Sequence, residues 1–285
     1  TAVTSANTSK LSVGIVSAYQ FYGDGSNLTG AGFSFDGSYN LYAGTNAGKC
    51  SDSDTCFNIA LGCNAGCCLN SGDRNIIMGD CAGRCVTSGK DNHIFGTGAA
   101  AQQTVTGNYN NMFGKCAGSC ITSGCYNQFF GYCAGFGMGS GGMSGKHNIA
   151  MGCKAGYCLS SGCSNIIFGE STGVKLTTGD NNVIVGRQAG ELGTLTGDSN
   201  VLLGFYAGRY LAGGTKNIIA GYDAGGSLTS GSCNVFLGTG VAGESTTGNY
   251  NLAFGKSALG TCDVTGAQNI ALGTEAGAKT TSAAD

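Results

Sequence analysis

One interval dominates this sequence. An asparagine followed four residues later by a glycine recurs fourteen times between Asn40 and Asn269. The asparagines are Asn40, Asn58, Asn75, Asn92, Asn110, Asn127, Asn148, Asn165, Asn182, Asn200, Asn217, Asn234, Asn251 and Asn269. They stand 17 or 18 residues apart, except for the 21 between Asn127 and Asn148. Three residues after the glycine comes Ala in 12 of the 14 repeats, Thr172 and Val241 being the exceptions. A Ser/Thr-Gly pair such as Ser71-Gly72 or Thr106-Gly107 usually closes the repeat. Its glycine lies three residues before the next Asn in every interval but the first, where Thr55 stands instead.

Repetition of this kind decides architecture before local propensity does. A period of 17 is too short for helix pairs or propeller blades, and it fits one turn of a parallel β-solenoid. Each turn is predicted to hold two short strands and two tight corners. The segment after each Asn is rich in β-formers, as in Ile166-Ile167-Phe168 and Val183-Ile184-Val185. A second apolar position near mid-repeat (Leu69, Val86, Ile121, Leu159, Leu176, Leu211, Leu228) is assigned to the second strand's share of the core. Glycine at the corners supplies the positive φ that other residues resist. Stacked about 4.8 Å apart, fourteen rungs make a rod of about 65–70 Å.

Composition removes the competing classes. Glycine occurs 54 times, but with no Gly-X-Y period and no proline the chain is not collagen. A hydrophobic share of 41% with a net charge of −2 argues against disorder. No basic stretch is present to neutralise phosphates, so no nucleic-acid partner is expected. No apolar run approaches membrane-spanning length, so no membrane insertion is expected either.

The asparagine column admits two readings. Identical amides one rung apart can hydrogen-bond up and down the stack, which would make Asn58, Asn75, Asn92, Asn110, Asn127, Asn165 and Asn182 a structural ladder. Alternatively Asn is there because it tolerates a left-handed corner. Neither role is catalytic.

The strands carry a further signal. Side chains alternate faces along a strand, yet all three residues after the Asn are apolar in most repeats. Such a run implies that both faces are buried. The middle residue faces opposite to its neighbours and is assigned to the outer face, where only another chain could cover it. Ile77, Ile94, Phe129, Ile167, Ile184, Leu202, Ile219 and Phe236 are therefore the predicted homo-oligomer interface. The other reading is a bare apolar stripe, an aggregation liability.

Sixteen cysteines keep the repeat's register, and fourteen of them lie between Cys50 and Cys163. None forms a C-x-x-C pair and histidines number two, so neither a metal site nor a cofactor is expected. Cys63/Cys67, Cys81/Cys85 and Cys116/Cys120 repeat one separation, and Cys50, Cys68, Cys85, Cys120 and Cys158 share a column. Adjacent rungs would bring column members within disulfide range, giving a disulfide ladder in an oxidising milieu. A column of small buried thiols is the alternative.

The chain divides into an N-terminal strand-and-turn cap or connector at 1–37, with a strand over Lys10–Tyr22, a solenoid at 38–277, and a short polar tail at 278–285. The long interval contains Gly135–Gly145, read as an enlarged corner loop. As a candidate binding loop it would expose Phe136, Met138 and Met143; it is otherwise a neutral insertion. His93 and His147 have no repeated partner, the carboxylates are scattered, and no corner carries a P-loop Lys-Ser/Thr, so no enzyme is expected.

The pattern N-[IV]-x-[LFMV]-G-x-x-A-G…[ST]-G resembles the repeats of phage tail fibres. It is also similar to the head repeats of trimeric bacterial adhesins. Cysteine-bearing rungs such as Asn75-Ile-Ile-Met-Gly-Asp-Cys-Ala-Gly-Arg-Cys85 look most like cyanophage virion fibres. Phe21-Tyr-Gly-Asp-Gly-Ser-Asn-Leu-Thr-Gly30 looks like an element that precedes tail-fibre repeats. The resemblance spans roughly residues 20–277. It implies a left-handed β-roll, a homotrimer, a virion-surface or extracellular location, and a rigid stalk that attaches to a host receptor or glycan. The alternatives are a self-assembling extracellular filament and an ice-binding solenoid; the mixed closing column of Ser71, Ser88, Thr106 and Gly213 is irregular for the latter.

Overall fold

The computed structural model describes residues 36–138, 141–260 and 265–278. Most of the N-terminal segment and the C-terminal tail lie outside the described residues, as does the strand expected over Lys10–Tyr22. The rest is a parallel β-solenoid in which each turn contributes one three-residue strand. The strands are β1 (Leu41–Ala43), β2 (Ile59–Leu61), β3 (Ile76–Met78), β4 (His93–Phe95), β5 (Asn111–Phe113), β6 (Gln128–Phe130), β7 (Ile149–Met151), β8 (Ile166–Phe168), β9 (Val183–Val185), β10 (Val201–Leu203), β11 (Ile218–Ala220), β12 (Val235–Leu237), β13 (Leu252–Phe254) and β14 (Ile270–Leu272). They form one sheet in chain order. Equivalent residues stack in register, as Ile166 on Val183 and Ile167 on Ile184. Thirteen steps of about 4.8 Å give a stack about 62 Å long.

The expected second strand is replaced by turns. Two consecutive β-turns follow β2, Ala65 N to Gly62 O at 3.2 Å and Leu69 N to Gly66 O at 3.0 Å, and the same pair recurs after β1, β3, β5, β7 and β10. The mid-repeat apolar residue then drops into the core, and at Val86↔Val105, Ile121↔Met143 and Leu176↔Leu195 it makes isolated parallel bridges. A second strand fails because the turn pair leaves too few residues for a ladder. Leu69, Val86, Ile121, Leu159, Leu176, Leu211 and Leu228 are nonetheless fully buried, as the sequence pattern requires.

The glycine four residues after each Asn has a specific reason. At Gly152 φ is +133°, and a Cβ built there would lie 2.3 Å from the carbonyl oxygen of Gly169 on the next rung. The rungs can approach to sheet spacing at this corner only where no side chain intervenes.

The inward residues fix the orientation of the strand. Each Asn from Asn40 to Asn251 is buried, the next residue points out, the one after is buried, and the third points out, giving the alternation seen in β3 and β9. The middle residues Ile77, Ile94, Phe129, Ile167, Ile184, Leu202, Ile219 and Phe236 are thus core, all at 0% exposure, and not the outer face assigned from the sequence. The physical reason is the period of two: a buried Asn puts the residue two positions on inside as well. The alanine column (Ala65, Ala82, Ala117 and their equivalents) fills the narrow end of the same core.

The long interval also departs from expectation. Met143 is fully buried and supplies the mid-repeat core position of its rung, while Phe136 is half-buried and stacks on Tyr157 with ring centroids 4.9 Å apart. Of the three residues of the candidate loop only Met138 is exposed, at 59%. The three extra residues of this interval let the chain bulge and still return Met143 to the column.

Candidate functional site

Three features stand apart from the generic core: the asparagine ladder with its N-terminal cap, the outward face of the strands, and a set of thiols at one corner.

The ladder is continuous and directional. Every Asn from Asn58 to Asn234, and again Asn269, donates Nδ2–H to Oδ1 of the Asn one rung earlier, at 2.9–3.1 Å. The same Oδ1 accepts the backbone N–H of the later Asn, as Asn165 N to Asn148 Oδ1 at 3.0 Å. The second Nδ2 proton goes to the carbonyl of the Ser/Thr-Gly glycine, as Asn165 to Gly179 at 2.8 Å. Each buried amide therefore has two donors and two acceptor sites filled. These asparagines are not left-handed. The positive φ belongs to the residue before each one: Tyr39, Arg74, Tyr109, Ser164, Asn181 and their equivalents.

The N-terminal end of the ladder is closed by the chain itself. Asp36 Oδ2 accepts Asn40 Nδ2–H at 3.0 Å, and Asp36 Oδ1 accepts the backbone N–H of Asn40 at 2.8 Å and of Ser38 at 2.9 Å. Its carboxylate thus stands where an earlier Asn would. What burial it has works against the charge, but the amide hydrogen bonds from Asn40 and Ser38 outweigh that and hold the carboxyl below its ordinary value.

The outward face consists of the first and third residue of each strand. Eleven of the fourteen strands begin with Leu, Ile or Val, and the third position is Ala, Leu, Met, Phe or Val throughout. Along β4–β6 the third residues Phe95, Phe113 and Phe130 stack at 4.7 and 5.0 Å. On the other side of the strands, Tyr109, Tyr126 and His147 stack at 4.9 Å. The face remains partly solvent-exposed, most at Ile270, Leu272, Phe254 and Ile218.

The fifteen described cysteines are free thiols, so the disulfides expected among Cys63, Cys67, Cys81, Cys85, Cys116 and Cys120 are not present. Members of a four-residue pair belong to different turns of the rung and find different partners. Cys81 Sγ lies 3.5 Å from Asp80 Oδ1, whereas Cys85 Sγ donates to Ala101 O at 3.1 Å. Cys63 accepts from Asn64 Nδ2 at 3.4 Å, and Cys120 donates to Gln102 Oε1 at 3.4 Å. Thiols do meet beside Cys67, whose Sγ is 3.8 Å from that of Cys68. Burial, the contact with Cys68 and the nearby thiols of Cys50 and Cys85 push the Cys67 thiol up to about 11. Cys133 packs next to Cys116 one rung away and is likewise raised, chiefly by burial.

The two histidines serve the surface. His93 opens β4 with Nδ1 at 2.8 Å from Asn111 Oδ1, a contact that requires the proton on Nδ1, and His147 belongs to the aromatic stack. Among the described residues no group of three or more His, Cys, Asp or Glu is arranged to hold a metal ion. Inter-rung ion pairs such as Arg74–Asp91 at 2.7 Å and Lys90–Asp73 at 2.6 Å bind one turn to the next. No protein-family model, curated protein or solved structure matches this chain.

The sequence reading missed Asp36 and inverted the two strand faces. Asp36 stands four residues before the first Asn of a column whose members all require an acceptor on their N-terminal side, and that position was the available clue.

Proposed function

We propose that this chain is a rigid structural segment of a surface fibre in which identical chains associate through the outward faces of their strands. The observation that carries this reading is the apolar outer face running the length of a solenoid whose own core is already complete. Its strand portion measures roughly 10 by 62 Å, about 600 Å². That is the upper end of what a monomer leaves bare, about 300–600 Å². With the flanking aromatics Tyr39, Phe57, Tyr109 and Tyr126 it approaches the roughly 800 Å² per partner of a stable interface. A second copy is the partner of choice, because only another stack of rungs matches this face's repeat over its whole length. Three copies, and a role in attachment to a host surface, follow from the likeness of the repeat to tail-fibre and adhesin-head repeats. The outward columns are Ile, Val, Leu and Phe rather than a regular threonine array, which favours protein contact over ice binding.

Light scattering on the chain in reductant tests the reading. A discrete mass at a small multiple of 28.4 kDa is expected. Leu203→Asp combined with Ile218→Asp, both outward, should reduce it to a folded monomer, whereas Leu202→Asp, inward, should unfold the chain. A wild-type chain that stays monomeric at tens of micromolar overturns the association, and open-ended growth favours a filament.

A further inference from the structure

An interface made of equivalent rungs has a problem of its own. Sliding one chain past its partner by a whole rung exchanges apolar contacts for nearly identical ones. Loss at the ends penalises the slip by only one rung in fourteen. Reversing one chain end for end is almost as well tolerated by apolar columns. A repeat of this kind needs a position at which the rungs differ.

The outward face has one such block. Three consecutive strands depart from Leu, Ile or Val at their first residue: His93 in β4, Asn111 in β5 and Gln128 in β6. His93 and Gln128 are exposed, Asn111 is half-buried, and His93 and Asn111 hydrogen-bond to each other. The block is bracketed by the Phe95–Phe113–Phe130 stack of the same three rungs on one side and, one rung further along, by the Tyr109–Tyr126–His147 stack of the β5–β7 rungs on the other. No core or turn requirement of this chain accounts for the polar side chains, since the same position elsewhere is apolar.

We propose that His93, Asn111 and Gln128 are a register key for the association of identical chains; this rests on the outward strand face being an interface between copies. In a parallel, level arrangement the three polar groups of one chain meet those of its partner and satisfy them. A one-rung slip sets a polar side chain at each end of the block against Ile76 or Ile149. A reversed arrangement pairs strand n with strand 15 − n, so β4–β6 face β11, β10 and β9. There the imidazole and both amides would lie against Ile218, Val201 and Val183 with nothing to bond to. Because the block sits off the midpoint of the stack, it discriminates against reversal as well as slip. The principle is the one by which a lone polar residue in an apolar coiled-coil seam fixes register. One unpaired buried polar group is enough for about a tenfold preference.

Photocrosslinking of the full chain tests this. Phe254, outward on β13 and 56% exposed, is replaced by p-benzoylphenylalanine in two backgrounds: wild type, and the triple variant His93→Ile/Asn111→Ile/Gln128→Ile. Cross-linked peptides are identified by mass spectrometry. Wild type should join β13 to the partner's β13 and its immediate neighbours. The triple variant should keep its oligomeric mass, shift its cross-links from β13 toward β12 and β14 (one-rung slip), and gain products on β11 (longer slip) and β2 (reversal) at least about tenfold. Asn111→Ile alone, the mildest change, should give a smaller rise in the same products, and circular dichroism checks that both variants fold. Unchanged cross-links in the triple variant would overturn the key while leaving the interface standing. Scattered cross-links in wild type, or loss of association in the triple variant, would overturn it too. A monomeric wild type would remove the interface itself.

Discussion

Truncating one rung of the amide ladder has a consequence that can be worked out from its hydrogen bonds. Asn165 lies mid-stack and fully buried. Its Nδ2 donates to Asn148 Oδ1 at 3.0 Å and Gly179 O at 2.8 Å; its Oδ1 accepts from Asn182 N at 2.9 Å and Asn182 Nδ2 at 3.1 Å. Asn165→Ala leaves Asn148 Oδ1 satisfied by the backbone N–H of residue 165. It orphans three buried groups: the Asn182 N–H, one Asn182 Nδ2 proton and the Gly179 carbonyl. At about 1–3 kcal/mol each, with a water entering the vacated space to bridge some of them, the cost is about 4 kcal/mol. Asn269→Ala at the other end removes one contact, Nδ2 to Asn251 Oδ1, from a part-buried site and should cost about 1 kcal/mol. Guanidinium unfolding followed by far-UV circular dichroism measures both. Each rung touches only its neighbours, so a weak central rung can split the transition, and the data are fitted rung by rung. If the two variants fell within about 1 kcal/mol of each other, the ladder would not be acting as a set of buried, mutually dependent amides.

Four shorter predictions follow from other sites. Gly152→Ala should destabilise by more than about 2 kcal/mol, since its φ of +133° and the Gly169 carbonyl both reject a Cβ, whereas Gly141→Ala, in open space, should be neutral in the same melt. Met143→Ala should cost about 2–5 kcal/mol by denaturant titration and Met138→Ala close to nothing, reflecting their opposite burial. Alkylation of intact chain at pH 8, followed by peptide mass spectrometry, should modify exposed Cys50 and Cys63 well before Cys67, whose thiol titrates at about 11. Asp36 and Asp73 both have lowered carboxyl values, so their stabilisation is present above the ordinary value of 3.8 and is lost as pH falls through the lower folded one. The denaturant midpoint of Asp36→Asn/Asp73→Asn should therefore depend less on pH below about 4 than that of wild type.

The period, the strand location and the mid-repeat core column were legible because they are translational: one rung repeated states the rule. What was not legible depends on parity and on irregularity. Three apolar residues in a row give no sign of which faces inward, and Ile77 and Ile167 were therefore placed on the wrong side. The buried Asn two positions earlier holds the answer, once its amide is seen to need neighbours above and below. Met143 was hidden because its rung is three residues longer, so it falls out of the column when counted from Asn127. Asp36 precedes the first full repeat, and a carboxylate substituting for an amide breaks the pattern being searched for. The cysteines mislead for another reason: shared columns set backbone spacing, but the thiols take different partners, Ala101 O on the next rung for Cys85 and the adjacent Asp80 for Cys81.

The one-way sense of the ladder bears on how such a chain is made. Each Asn offers its oxygen toward the C-terminus and takes its own bonds from the rung before it, and Asp36 supplies the first acceptor from within the chain. Synthesis delivers residues in that same order, and domains form N-terminal first as they emerge. Every turn leaving the ribosome therefore meets a finished edge with its acceptor already presented. It closes a loop of only 17 or 18 residues in most turns to dock there. The molecule is laid course upon course like masonry, and an interrupted chain still leaves a sound wall behind it.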